Sequence, residues 1–362
     1  MIQIKGQAEP SARRIVIQIS QGFSLMSSGG VGAHSALIDS FGRRISYVRI
    51  SVTDRCDLRC RYCMAEHMQF LPKRQILTLE EVAQLADIFI ARGVRRIRLT
   101  GGEPLVRRGI LDLVGWIGKR IGDGLDELTL TTNGTQLERF AEGLHAAGIR
   151  RINVSLDSRR PERFSHITRG GDLSQVLRGI AAARAAGLQV KINMVALAGL
   201  NEDEVEEMLL WCAGEGLDLT LIETMPLGEV EEDRTSHYLP LDQVKRRLEE
   251  QLTLVPSLQR TGGPARYYDV AGIGTRLGLI TPLTHNFCDG CNRIRVAATG
   301  TVYGCLGHDQ KVELRDALRE GGAEAVTDLL DRLLAGKPRR HEFRIAAAAA
   351  PAVARHMSVT GG

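Results

Sequence analysis

The chain has 362 residues, 43% hydrophobic and 25% charged. That balance belongs to a folded globular protein and excludes a wholly disordered or collagen-like chain, while roughly 150 residues per domain suggests about two domains unless one α/β barrel absorbs most of the length. With 47 Lys and Arg against 43 Asp and Glu the net charge is +4, far from the basic excess of a dedicated nucleic-acid binder, and no stretch approaches the ~20 consecutive apolar residues of a membrane span. Neither nucleic acid nor membrane is expected as a partner.

Residues 1–40 read as a loose leader, punctuated by Ser27-Ser28-Gly29-Gly30 and without a sustained period, and Met26 is an alternative start. Arg13-Arg14 before Ile15-Val16-Ile17 faintly resembles an export signal, but Gln18, Ser20 and Gln21 break the apolar run that export requires. A cytoplasmic protein is expected. From Ile45 onward β-branched stretches alternate with amphipathic ones. The strands expected are Ile45–Val52, Arg96–Leu99, Glu127–Thr131, Arg151–Ser155, Gln189–Val195 and Asp218–Glu223.

Helix ends are legible between them. Ala91-Arg92-Gly93, Ala146-Ala147-Gly148 and Ala185-Ala186-Gly187 each place a glycine where a helix stops before the next strand, with Gly214-Glu215-Gly216 as a variant. Thr78-Leu79-Glu80-Glu81 reads as a capping box opening a helix with Val82, Leu85, Ala86 and Phe89 on one face. The pattern predicts an incomplete (βα)6 TIM-like barrel over residues 41–240, with its chemistry at the C-terminal ends of the strands. Beyond Pro240 a helix near Leu241–Gln251 leads into shorter strands and loops. Residues 241–362 are expected as a C-terminal cluster-binding domain that caps the barrel mouth.

Seven cysteines are too dilute for a disulfide framework in a chain this long, and their number is odd. Six fall into two triples. Cys56, Cys60 and Cys63 sit within eight residues just after the first strand; Cys288, Cys291 and Cys305 form the second. A three-thiol grip on a [4Fe–4S] cluster leaves one iron open to a chelating ligand, whereas zinc would need a fourth ligand, for which His67 stands near the first triple and His285 or His308 near the second. Cys212 reads as a core residue.

The segment from Ser51-Val52-Thr53-Asp54-Arg55-Cys56 to Tyr62-Cys63-Met64 resembles the cluster loop of radical S-adenosylmethionine (SAM) enzymes, in which an aromatic residue precedes the third cysteine. The resemblance implies that Cys56, Cys60 and Cys63 hold a cluster whose open iron takes the amino and carboxylate groups of SAM. Thr100-Gly101-Gly102-Glu103-Pro104 resembles the family's SAM-holding turn, which makes Gly102 a cofactor contact, with Tyr62, Ser155 and Met225 beside it. The second triple, with Asn292-Arg293-Ile294-Arg295 and Tyr303-Gly304-Cys305-Leu306, resembles the branch that cyclises GTP in molybdenum cofactor biosynthesis, a match running from about Leu37 to Gly362.

That branch implies a second [4Fe–4S] cluster on Cys288, Cys291 and Cys305 that binds the guanine. Arg49, Arg98, Lys191, Arg293 and Arg295 suit a triphosphate because they lie in barrel strands or within the second triple, and by the resemblance they contact GTP together with Thr131. It also implies that Gly361 and Gly362 form a tail needed for the radical step. The expected activity is that of a lyase, a GTP 3′,8-cyclase giving (8S)-3′,8-cyclo-7,8-dihydroguanosine 5′-triphosphate, the first step of the pathway. A low-potential electron donor, the downstream cyclic pyranopterin monophosphate synthase and a homodimeric partner copy complete the implied partners. Two departures stand out, Thr220 where the branch commonly carries arginine and Arg96 where it carries lysine.

Two rival readings remain: a radical SAM maturase that modifies a peptide, against which Arg293-Ile294-Arg295 and the Gly-Gly tail argue, and a zinc-ribbon scaffold for RNA or protein. Aromatics make up only 4% of residues, which leaves little stacking surface for single strands.

Overall fold

A computed structural model describes residues 36–230, 235–346 and 350–361. The leader expected over residues 1–40 falls outside the described residues as far as 35, as do Met26 and Gly362; Leu37 is fully buried.

The barrel half runs β1 (Tyr47–Ser51), α1 (Leu79–Ala91), β2 (Arg96–Thr100), α2 (Ile110–Gly118), β3 (Glu127–Thr132), α3 (Leu137–Ala146) and β4 (Arg151–Ser155), then α4 (Pro161–Thr168), α5 (Leu173–Ala185), β5 (Gln189–Ala196), α6 (Val205–Gly214) and β6 (Asp218–Glu223). All six expected strands are present, with bounds shifted by at most two residues. Gly93, Gly148, Gly187 and Gly216, the residues read as helix stops, adopt φ of 86°, 99°, 84° and 64°, the left-handed region in which a side chain would be strained. At the start of α1 the Glu81 amide donates to Thr78 Oγ1 (3.2 Å) and the Thr78 amide to Glu81 Oε2 (2.8 Å), the reciprocal pairing of a capping box.

The remaining elements are α7 (Leu241–Glu249), β7 (Leu254–Pro256), β8 (Arg266–Val270), β9 (Thr275–Ile280), β10 (Arg293–Val296), β11 (Thr301–Tyr303), β12 (Lys311–Glu313), α8 (Leu314–Ala335) and α9 (Met357–Thr360). Their strands extend the barrel sheet at both edges. The order is β12-β11-β10-β1-β2-β3-β4-β5-β6-β9-β8-β7, with β10 parallel to β1 and β9 parallel to β6. The sheet stays open, as an incomplete barrel should. Its outward side chains, including Val48, Ile97, Leu130 and Ile152, pack beneath the helices with Leu85, Phe89, Leu113 and Leu144. The alternate positions face the concave side, and that face carries Arg49, Arg98, Thr131, Asn153 and Asn193.

Cys212 lies fully buried in this core and thus packs as expected. Among the described residues no helix is long and apolar enough to cross a membrane. Thr78→Ala removes an exposed cap whose partners are both local, so it should lower stability by about 1 kcal/mol, read as a shifted urea midpoint with an unchanged slope.

Candidate functional site

The first cysteine loop is built by backbone bonds across the strand ends. Arg59 and Arg61 amides donate to Thr168 O (3.1 Å) and Ile167 O (3.0 Å), and the Cys63 amide to Cys60 O (2.9 Å). Asp57 fastens the loop to the turn after β3, accepting from Asn133 Nδ2 (2.7 Å) and Thr135 Oγ1 (2.6 Å). Burial pushes the thiols of Cys56 and Cys63 up to about 12 and that of Cys60 well above its ordinary value. A pocket that penalises lone thiolates so strongly favours a cationic partner for them.

The turn after β2 lies against this loop. Gly102 N donates to Thr53 O and Glu103 N to Arg55 O, both at 2.8 Å. A Cβ on Gly101 would stand 2.7 Å from Thr53 O, and one on Gly102 would collide with the Arg55 carbonyl. Glu103, fully buried, accepts from the amides of Leu105 (2.9 Å) and Asn133 (2.6 Å) and from Thr132 Oγ1 (2.8 Å). Burial still raises its carboxyl to about 7. Across the mouth Tyr62 donates to Asp157 Oδ2 (2.7 Å), whose other oxygen accepts from the Val195 amide (2.9 Å); burial lifts Asp157 to about 6.

The second triple faces the same cavity. Cys288, Cys291 and Cys305 line it with Cys56, Cys60 and Cys63, while His67, His285 and His308 do not. Burial pushes the Cys291 thiol up, but Arg293 and Lys337 outweigh it, and its pKa falls below the ordinary value; Lys337 Nζ stands 3.5 Å from the sulfur. Among the described residues no three His, Cys, Asp or Glu side chains converge on a point that one metal ion could occupy. A cubane cluster gives each thiolate a different iron, and so asks for thiols spread around it.

Tyr62, Gly102, Ser155 and Met225 line the cavity beside the first loop, and Arg49, Arg98, Thr131, Lys191, Arg293 and Arg295 line it further in. Strand register makes the cations neighbours: Arg49 lies opposite Arg98 on β2 and Arg295 on β10. Arg98 donates from Nε to Tyr47 Oη (2.5 Å) and from Nη1 to Thr131 Oγ1 (3.0 Å). Burial, with the like charges of Arg49 and Arg293, pushes Arg295 down to about 9; burial with Arg98 and Arg151 pushes Lys191 down to about 7. Gly361, with φ 71°, packs on Thr100 so closely that a Cβ would overlap its hydroxyl; Gly362 lies outside the described residues.

The sequence pattern missed several residues here. Tyr267 Oη accepts from Lys191 Nζ (2.8 Å), and its ring occupies space left open by Gly278 beside Thr220. Thr220 is buried with an unpartnered hydroxyl. Arg96 faces instead a second cavity of about 450 Å³ at the strand starts, which shares Lys191, Thr261 and Tyr267 with the first. Phe287, His341 and Phe343 form an aromatic wall by the second triple, the last two stacked at 4.3 Å. Tyr267 lies in a five-residue strand and Phe343 in an irregular stretch, neither long enough to carry a periodic signal, which is why pattern reading passes over them.

A model described as the Radical SAM superfamily matches residues 50–212, and one described as Molybdenum Cofactor Synthesis C matches residues 217–343. A GTP 3′,8-cyclase of Rhizobium meliloti strain 1021 is 59% identical over 329 residues, covering 90% of this chain and 94% of the relative. The chain belongs to the GTP 3′,8-cyclase family. Another member, from Erythrobacter litoralis strain HTCC2594, is 58% identical, with 91% of this chain and 100% of the relative covered. Among solved structures, Streptococcus suis SuiB bound to S-adenosylmethionine shares the fold at 13% identity and a TM-score of 0.57, covering 87% of this chain and 77% of that one. Native anSMEcpe with bound AdoMet does so at 16% identity and 0.53, with 82% of each covered.

In this cyclase-family chain the residues fit a chelated nucleoside cofactor: Gly101 and Gly102 line the cavity while closing on the main chain of the first cysteine loop, and the hydroxyls of Thr100, Ser358 and Thr360 are buried without partners. Gly102→Ala should separate the two loops that its backbone joins. The expected result is at least a tenfold weaker retention of SAM by the reconstituted protein in equilibrium dialysis, with helix content by circular dichroism unchanged.

Proposed function

We propose that the chain is a GTP 3′,8-cyclase that converts GTP to (8S)-3′,8-cyclo-7,8-dihydroguanosine 5′-triphosphate, a radical SAM lyase opening molybdenum cofactor biosynthesis in the cytoplasm. One observation carries the reading: two cysteine triples and the cations Arg49, Arg98, Lys191, Arg293 and Arg295 line a single cavity. Cys56, Cys60 and Cys63 would hold one [4Fe–4S] cluster, and Cys288, Cys291 and Cys305 a second. With SAM on the first, the chemistry supplied is a deoxyadenosyl radical that takes hydrogen from ribose C3′, so that C3′ can join guanine C8.

The protein's own residues do the placing. Tyr62, Gly102, Ser155 and Met225 hold SAM at the mouth, while Gly361 closes over it and, with Gly362, is needed for the radical step. The guanine lies toward the second triple, where Phe287, His341 and Phe343 bring aromatic rings to the cavity wall that a purine can pack against. The triphosphate takes the cations, whose mutual repulsion it relieves, and the Tyr47 phenol, drawn down to about 8 by Arg98, Arg49 and Arg293 against its burial, holds the Arg98 fork in place. Asn153 and Asn193, each with a buried unpartnered amide oxygen, lie one strand step below Ser155 and above Lys191. Asn153 pairs with Lys191 and Asn193 with Ser155, so the two span the step between the triphosphate and SAM ends, where the ribose would lie. A low-potential electron donor, a downstream cyclic pyranopterin monophosphate synthase and a second copy of this chain are the proposed partners.

Anaerobic reconstitution should load about eight irons per chain, four for each cluster, and the product should consume GTP only with SAM and reductant. Cys288→Ser should halve the iron and abolish cyclisation while leaving SAM cleavage. A colourless protein that holds zinc at the triples would defeat the reading.

Lys191 makes GTP binding depend on pH. It is held near 7 in the free protein among Arg98, Arg151, Tyr47, Tyr267 and Asp218, and a triphosphate would raise it. Below pH 7 the cation is already present; above it each binding event must take up a proton, so GTP affinity should fall with rising pH, approaching tenfold per unit. Calorimetry of Lys191→Met beside the native protein isolates this slope, which should vanish in the variant.

A further inference from the structure

Residues 350–361 run past every part of the site. Beside Met225, Ala352 N donates to Pro226 O and Gly228 N to Val353 O, both at 2.9 Å. At the far end Met357 and Ser358 line the cavity with Cys60 and Cys63, and Gly361 meets Thr100. Between these ends Arg355 reaches sideways into the second cysteine loop.

Its Nη2 donates to the carbonyls of Leu306 (2.5 Å), His308 (2.8 Å) and Cys305 (3.2 Å), and Nη1 to Asp309 Oδ1 (2.5 Å). The guanidinium also lies 4.1 Å over the Tyr303 ring, and its side chain is 8% exposed. Three main-chain carbonyls meet one guanidinium only while residues 305–308 keep their curved path, and Cys305 is the last thiol of the second triple. The bonds are charge-assisted, with the three carbonyls sharing the two Nη2 hydrogens, and the planar guanidinium fixes their geometry together with that of Asp309, as a freely rotating ammonium does not. The Asp309 carboxylate, 73% exposed, adds little.

We propose that Arg355 is a positioning residue that makes docking of the C-terminal segment against the first cysteine loop conditional on closure of the second. The proposal rests on the reading of both triples as cluster ligands. The segment is a strap: one arm reads the second loop, and six residues on, its tip covers the first. A chain whose second loop is open leaves the tip undocked. By linkage the coupling is reciprocal, so a docked tip also stabilises the second loop.

Hydrogen exchange of the amides of residues 356–361 in the anaerobically reconstituted protein, without GTP, tests this. Protection in the native chain should fall roughly tenfold or more in Arg355→Gln, since several charge-assisted bonds are lost, and equally in Cys305→Ser, whose iron content should halve. Arg355→Lys should lie between, and Asp309→Asn should match the native chain. Arg355→Gln should also raise deoxyadenosine formed per GTP consumed several-fold, a ratio that a general loss of stability leaves unmoved. Native protection in either Arg355→Gln or Cys305→Ser overturns the proposal, and so does loss of protection in Asp309→Asn. Because exchange is read without substrate, failure of the native chain to cyclise GTP would sink the proposed activity and leave this result standing.

Discussion

The arrangement depends on one short pairing, four residues of β10 against four of β1. Those strands are more than 240 residues apart, and nothing local requires them to meet. Once they do, the second cysteine triple, two thiols just before β10 and the third just after β11, stands at the edge of a sheet whose first strand feeds the first triple. The same register sets Arg295 beside Arg49 and so continues the cationic row begun by Arg98. One parallel pairing thereby delivers the second set of thiols and the far half of the anion site. Parallel pairs of such separation carry a large loop-closure cost, and the buried row Val48, Ile50, Ile294 and Val296 helps offset it.

The interior that results is electrostatically unfavourable by itself. Burial and like charge depress Arg295 and Lys191 together, and three arginines pull the Tyr47 phenol down against its burial. The first three thiols are pushed the other way, toward the neutral form. Both tensions have one kind of remedy: a polyanion for the cations and a cationic metal centre for the thiols. Fixed charges of this sort need no reorganisation when the ligand arrives, and the free energy released on binding adds to the stability of the folded chain.

What could be read from the sequence was whatever is local. Cysteine spacing, the glycine stops and the Thr78 box each declare themselves within a dozen residues, and the six barrel strands follow from period and punctuation. The edges of the sheet did not, because β7, β11 and β12 are only three residues long and β8 to β10 carry no helical partner to mark a βα unit. Side chains whose role comes from a distant contact were equally hidden. Tyr267 matters through Lys191, 76 residues earlier, and Arg355 through carbonyls at 305, 306 and 308. A residue that donates to main chain leaves no complementary residue type for a pattern to find.

The tail joins the local and the distant. Gly361 carries no periodic signal and is marked only by resemblance, yet its left-handed φ and its contact with Thr100 allow no side chain at all. Thr100 ends the strand whose next residues form the Gly101-Gly102 cradle. The tightest point of the tail thus lies against the turn that approaches the first cysteine loop most closely. At Gly361 the Thr100 side chain, and at Gly101 and Gly102 the main chain of Thr53 and Arg55, take up the space that a Cβ would fill, so close approach and not side-chain chemistry is what these positions require.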